Sequence, residues 1–349
     1  MKFIPALDGL RAIAVLLVIV FHATTGIVTR GGYIGVDVFF VLSGFLITTI
    51  LTEEMDRTGE IALKDFYLRR FFRLMPAVLL MLAGYFITWP FFWDITLAEV
   101  LRNMALVGFY LADYSVALWY VPEELCHSWS LSVEEHYYIL WPFALIGLRR
   151  WPLQRRIIAL AFLYILVTVW RDYNAFIVSY WRLAYKRFDT HCSGLILGGL
   201  LAFFMKTGRR VPYAGIILAI LGLSLAFFMT RLPWGKRESM LLLITLTEIT
   251  TFFAIYVCLT QPGKIFDRVL SAGSLGYLGK ISYGLYLYHF PIIFYLRNHY
   301  NTPVVLIYGM SLTLIFAVSS FHLVEKPIVK WARQRFPRHT LNFAEEKTA

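Results

Sequence analysis

Arg11 and His22 stand eleven residues apart in an otherwise apolar run near the start of the chain. At about 100° per residue, a helix turns roughly 1100° over that interval, about 20° past three full turns, so both side chains project from one face, about 16 Å apart. An arginine can hold an anion, and an imidazole can act as base or nucleophile. The separation is comparable to that between phosphate and thioester in an extended pantetheine arm. The plainer reading has Arg11 snorkelling to lipid phosphate and His22 satisfied by a neighbouring helix.

A second cluster runs from His127 to Tyr138 and contains Ser130, Glu134, Glu135 and His136. Ser130, Glu134 and Tyr137 fall at i, i+4 and i+7 and share one helical face. A carboxylate there can orient and charge-stabilise a histidine base, the pairing used in acyl transfer. Alternatively, Ser128 or Ser130 caps the helix, and Glu134 and Glu135 favour its positive end. In a third run, Tyr67 to Pro76, Arg70 and Arg73 lie one turn apart, a spacing suited to bidentate phosphate contacts; such a run is also the common cationic anchor at an inner membrane surface. Asp37, Asp189, His289 and Glu325 are further polar residues in apolar surroundings, each a functional hypothesis by default. His191 and His299 fall near outer helix ends and read as unremarkable. No phosphate-binding glycine loop, nucleophile elbow or metal-spaced His/Cys cluster is present, which argues against nucleotide-driven pumping or a bound metal.

The elements that must position these groups are membrane helices. Of the 349 residues, 59% are apolar and 16% charged, where a soluble domain needs roughly a quarter charged. Mean hydropathy is +0.64. The expected fold is an all-α polytopic bundle of about ten spans, near 8–28, 33–52, 75–93, 131–148, 156–171, 190–205, 211–230, 239–260, 281–296 and 303–324. With the N-terminus inside, the inner segments carry 22 Lys and Arg and the outer ones 10, which places both termini in the cytoplasm. A full crossing by 94–130 would break this asymmetry, so that segment is expected to lie on or dip into the outer face. The domain expectation is a membrane part over 1–330 and a basic cytoplasmic tail over 331–349, with the start of the chain kept as a helix rather than cleaved. Cys126, Cys192 and Cys258 form no framework; Cys126 and Cys192 can both face outward, and free thiols are expected over a disulfide. The net charge of +11, concentrated inside, suits anionic lipids or a bound polyanion, and no nucleic-acid partner is expected.

Together these segments resemble the acyltransferase 3 family of integral-membrane acyltransferases. The resemblance runs from Leu7-Asp8-Gly9-Leu10-Arg11-Ala12 to Val324-Glu325-Lys326-Pro327. Between them, in the family's order, come Arg11 with His22, then Gly35 to Phe45 around Asp37, then Arg70 with Arg73. The Trp-Ser-Leu-x-x-Glu element follows as Trp129, Ser130, Leu131 and Glu134, and a late element from Ser282-Tyr283 ends in His289. One departure is His136, where the family pattern has Gln; it adds a rival base beside Glu135.

The resemblance implies an acyl donor, acyl-CoA and usually acetyl-CoA, taken from the cytoplasm, with no tightly bound cofactor. The acceptor it implies is a hydroxyl on a glycan or lipid-linked glycan outside the inner membrane, such as O-antigen, exopolysaccharide or peptidoglycan. Many relatives carry an appended esterase-like domain; this chain is expected to lack one, and either to acylate its acceptor directly or to hand the group to a separate periplasmic transferase. In that scheme Arg11, Arg70 and Arg73 hold the CoA phosphates, His22 oriented by Glu134 does the chemistry, and Asp37, Ser130, His136, Tyr283 and His289 support it. Trp119, Tyr120 and Trp129 are candidates to stack on a sugar. The competing reading is a proton-coupled transporter or flippase using Arg11, His22, Glu134 and His289 as a path.

Overall fold

The computed structural model describes residues 4–28, 30–177, 181–232 and 234–336. Among these residues every regular element is helical, as a bilayer demands of a backbone that finds no water inside it. The first half comprises α1 (Pro5–Ala23), α2 (Gly35–Thr58), α3 (Leu63–Phe92), α4 (Leu97–Gly108), α5 (Ala112–Trp119), α6 (Trp129–Leu148) and α7 (Leu153–Ile177). Two short pieces, α8 (Trp181–Tyr185) and α9 (Phe188–His191), lead into α10 (Ser193–Lys206), α11 (Ala214–Arg231) and α12 (Ile244–Thr260). The chain then forms α13 (Ile265–Leu270), α14 (Gly273–Lys280), α15 (Ser282–His299), α16 (Thr302–Val304), α17 (Met310–Ser320) and α18 (Lys326–Arg335). Wider turns join the last three into one rod, Thr302–Arg335.

Seven of the described helices are long and apolar enough to cross a membrane, and each coincides with an expected span. The other three expected spans are also helices, α6, α10 and α15. Two of them, α6 and α15, carry the polar side chains singled out above, which dilutes their hydropathy; α10 has 14 residues. Segment 94–130 folds as α4 and α5, of 12 and 8 residues, neither long enough to cross. Thr96 starts α4 with a capping box, and its backbone and hydroxyl donate to Glu99, holding that carboxyl below its ordinary range. Helix α18 runs to Arg335 across the boundary expected at 330, and 337–349 lie outside the described residues.

Small residues bring the central helices together. A methyl group on Gly44 of α2 would lie 1.9 Å from the Leu195 carbonyl oxygen of α10, and one on Gly198 of α10 would lie 2.1 Å from that of Val41. The backbones therefore touch, the close approach that membrane helices use where no hydrophobic drive separates protein from lipid. The outside of the bundle is apolar instead: Ile158, Phe162, Ile165 and Val169 make an exposed stripe along α7 that needs hydrocarbon around it.

A buried polar clamp holds α7, α10 and α12. Arg171, with no exposed surface, donates to Ser193 Oγ at 3.0 Å and Thr245 Oγ1 at 2.7 Å, and faces Glu248 at 3.6 Å. Glu248 also accepts from Ser193 at 2.5 Å and from Tyr164 at 3.1 Å. The three cysteines are free and buried.

Candidate active site

Helix α3 continues unbroken through Pro76, so Arg70 and Arg73 stand one turn apart on a helical face. Arg70 lays its guanidinium 3.5 Å from the ring centre of Tyr138 on α6, and its buried Nε has no hydrogen-bond partner among the described residues. A cavity of about 780 Å³ opens beside them, within the range of small-molecule pockets, roughly 300–1,000 Å³. Arg11, Arg70, Arg73, Lys280, Lys326, Lys330 and Arg333 line it, with Asp8, Glu134 and Glu325 as the acidic residues. Seven cations against three carboxylates focus positive potential into one concavity, an environment for a polyanion. Arg11 is steadied by Asp8 at 3.4 Å. Tyr283 also faces this cavity and donates to the Leu74 carbonyl at 3.1 Å, tying α15 to α3.

His22 lies elsewhere, in a smaller cavity of about 50 Å³ lined also by His127, Cys126, Lys186, Tyr33, Trp234 and Phe290. The two cavities share Val36 and Tyr286 as walls. The Tyr286 hydroxyl is 2.6 Å from Ser130 Oγ, and both converge on the His127 carbonyl, at 3.0 and 3.2 Å. Ser130 thus sits at the partition between a cationic chamber and an imidazole chamber. Arg11 and His22 face consecutive compartments along the same helix.

The partner of His22 is not the expected one. Glu134 lies one turn along α6 from Ser130 and looks into the large cavity, where it accepts a hydrogen bond from Ser43 at 2.6 Å. His22 Nδ1 instead lies 3.2 Å from His289 Nε2, and His289 Nδ1 lies 2.5 Å from the Tyr286 carbonyl. A carbonyl only accepts, so His289 carries its proton on Nδ1 and offers a lone pair at Nε2. His22 then donates from Nδ1, which leaves Nε2 of His22 as a bare lone pair. The same argument applies to His127: its Nε2 donates to the Leu287 carbonyl at 3.0 Å, and its buried Nδ1 has no partner among the described residues.

Other expected supporting residues fall outside both cavities. His136 Nδ1 pairs with Asp113 of α5 at 3.2 Å, and its ring meets Phe188, so it is no rival to His22. Asp37 binds His191 Nε2 at 2.6 Å; both are fully buried, which corrects the reading of His191 as an unremarkable outer residue. Trp129, 5% exposed, packs on Tyr185 and His191 and lines the His22 cavity rather than the outer surface, whereas Trp119 is 71% exposed. Sequence reasoning missed Lys186, whose buried Nζ donates to Cys126 Sγ at 2.7 Å, and Trp234, Tyr286, Lys280, Lys330 and Arg333. For the last two the signal was present: they follow Glu325-Lys326-Pro327 on an amphipathic helix.

A bundle crossing the bilayer many times, with a cationic chamber at one end and paired buried imidazoles beyond it, defines a polytopic membrane protein that can receive an anionic molecule beside a histidine. Comparison with known proteins narrows this class. The family model described as an acyltransferase domain matches residues 4–323, and the chain belongs to that family of integral-membrane acyltransferases. Among its relatives, the peptidoglycan O-acetyltransferase OatA of Listeria monocytogenes is 31% identical over 94% of this chain and 56% of its own length. The O-acetyltransferase OatA of Staphylococcus aureus is 31% identical over 98% of this chain and 60% of its own length. The chain thus spans under two thirds of the length of these relatives. No solved structure matches it significantly.

Proposed function

We propose that this protein moves an acetyl group from cytoplasmic acetyl-CoA to a hydroxyl of a cell-envelope glycan, at His22. The observation that carries the reading is the adjacency of the two cavities across Tyr286 and Val36: a polyanion chamber with Arg11, Arg70 and Arg73, and beyond it an imidazole with a free lone pair. The phosphates of CoA suit the cations, with Arg70 Nε the clearest unfilled donor. The pantetheine arm runs along α1, past the Tyr286 hydroxyl, and brings the thioester to His22.

Two routes use the His22 Nε2 lone pair. In one it takes the proton of the acceptor hydroxyl as that oxygen attacks the thioester carbonyl, and the CoA thiolate leaves. In the other it attacks the carbonyl itself and expels the CoA thiolate; the acceptor hydroxyl then attacks the acetyl-imidazole, its proton going to the thiolate, and His22 is released. In both, His289 holds the imidazole in the reactive tautomer and accepts part of the charge that develops on it. The name of the Listeria relative, a peptidoglycan O-acetyltransferase, favours peptidoglycan or a similar glycan as acceptor. The charge asymmetry supports a position in the plasma membrane with the basic cavity facing the cytoplasm, where acyl-CoA is supplied.

The test is titration of purified protein in nanodiscs with acetyl-CoA, joined to mass spectrometry of envelope glycans from cells with and without the gene. Saturable binding and a missing acetyl ester support the reading. Absence of binding, with glycans unchanged, favours the transport reading instead. An acetyl adduct trapped on His22 selects the two-step route.

A further inference from the structure

The cavity around His22 is small. Its volume is about 50 Å³, against about 780 Å³ for the cationic cavity. A longer acyl chain delivered to His22 is therefore pressed against its walls.

The walls are packed aromatic rings. Phe290, 4% exposed, meets the His22 ring edge-on at 5.0 Å and stacks on His127 at 5.1 Å and on Phe294 at 5.8 Å. Trp234 closes another side, with ring centres 4.3 Å from Tyr33, 4.8 Å from Tyr185 and 4.7 Å from Trp181. Rings held on several sides do not swing aside for an added methylene, and overpacking such a wall is unfavourable. The large cavity places no comparable limit on the donor, because the nucleotide end stays in its 780 Å³.

We infer that Phe290 and Trp234 form a gauge that sets acyl chain length, admitting acetyl and rejecting butyryl and longer groups. This deepens the functional reading above and rests on it, since the gauge acts only if the acyl group is delivered to His22. Phe290 is the more direct element, because its ring borders the reacting imidazole. Trp234, contributed by the loop after α11, closes the chamber from the side of Tyr33.

The experiment uses inverted membrane vesicles from cells that lack the chromosomal gene and express each variant, so that the native acceptor is present. Acetyl-, butyryl- and octanoyl-CoA, each labelled in the acyl group, are supplied, and label transferred to envelope material is measured. The wild type is expected to favour acetyl over butyryl by about tenfold or more, the discrimination that a few methylenes give in an apolar site, and to leave octanoyl untouched. Phe290→Ala is expected to reduce the acetyl-to-butyryl ratio to about threefold or less. Trp234→Ala provides a second opening should Phe290→Ala fail to accumulate in the membrane. Comparable wild-type transfer of acetyl and octanoyl overturns the gauge, as does an unchanged ratio in every variant that accumulates. His22→Ala separates the two ideas: if it transfers acetyl normally, the functional reading fails and the gauge with it. If it is inactive while the wild type shows no chain-length preference, the gauge alone fails.

Discussion

His289 Nε2 lies 3.2 Å from His22 Nδ1, and the Tyr286 carbonyl fixes the opposite nitrogen of His289 as a donor. The consequence is a chain of two imidazoles in which a backbone oxygen sets the donor nitrogen of His289, and Nε2 of His22 is the nitrogen left over for the proposed chemistry. Catalytic histidines are usually set by a carboxylate; in the proposed reaction a second imidazole takes that place inside a membrane, where a second charge would be costly. His289→Ala is therefore expected to lower kcat by at least about tenfold with little change in KM for acetyl-CoA. His289→Gln, whose amide oxygen can accept the same hydrogen bond, is expected to recover part of that loss. Equal activity of Ala and Gln variants with the wild type contradicts the arrangement.

Arg70 and Arg73 are expected to hold phosphate. Charge-assisted hydrogen bonds contribute about 1.5–3 kcal/mol each, so either alanine variant should weaken acetyl-CoA binding by roughly 10- to 100-fold. Isothermal titration in nanodiscs reads this directly. His22→Ala, remote from the phosphates, should leave Kd within a few-fold of the wild type.

The same cavity predicts a salt effect. Seven cations around a polyanion are screened as ionic strength rises, with a Debye length of about 10 Å at 0.1 M and 3 Å at 1 M. Acetyl-CoA affinity should fall several-fold over that range, and the Arg70→Ala, Arg73→Ala double variant should show a shallower dependence. A flat response in the wild type counts against phosphate recognition there.

The clamp between Arg171 and Glu248 belongs to stability rather than chemistry, because neither residue lines either cavity. Removing one partner of a buried pair costs about 3–5 kcal/mol, so Glu248→Ala should lower the thermal midpoint in detergent sharply. Replacing Arg171 and Glu248 together by Leu should cost less than the single change, since no charge is left stranded. Protein that survives should bind acetyl-CoA as the wild type does.

Much of the fold is legible in residue order because the bilayer removes alternatives: an apolar run of sufficient length has to be a helix, and charges orient it. Spacing and residue type single out Arg11, Arg70, Arg73, Ser130 and Glu134, the family resemblance adds Tyr283, and all six gather around one cavity. What spacing could not supply was pairing between helices distant in the chain. His22 and His289 are 267 residues apart, and Asp37 and His191 are 154 apart, so only the packing of α1 on α15 and the seating of α9 against α2 reveal these partners. Glu134 was matched to His22 because carboxylates so often orient histidines. Its depth along α6 aims it at Ser43 instead. Lys186 and Trp234 were illegible for a further reason: they come from connections between helices, where no periodicity marks which way a side chain turns.

The most direct test of the account is a cryo-electron microscopy structure of the protein in nanodiscs with a non-hydrolysable acetyl-CoA analogue. The account predicts phosphate density against Arg11, Arg70 and Arg73, and an acyl carbon beside Nε2 of His22 beyond Tyr286. An analogue bound elsewhere, or with its acyl end directed away from His22, contradicts it.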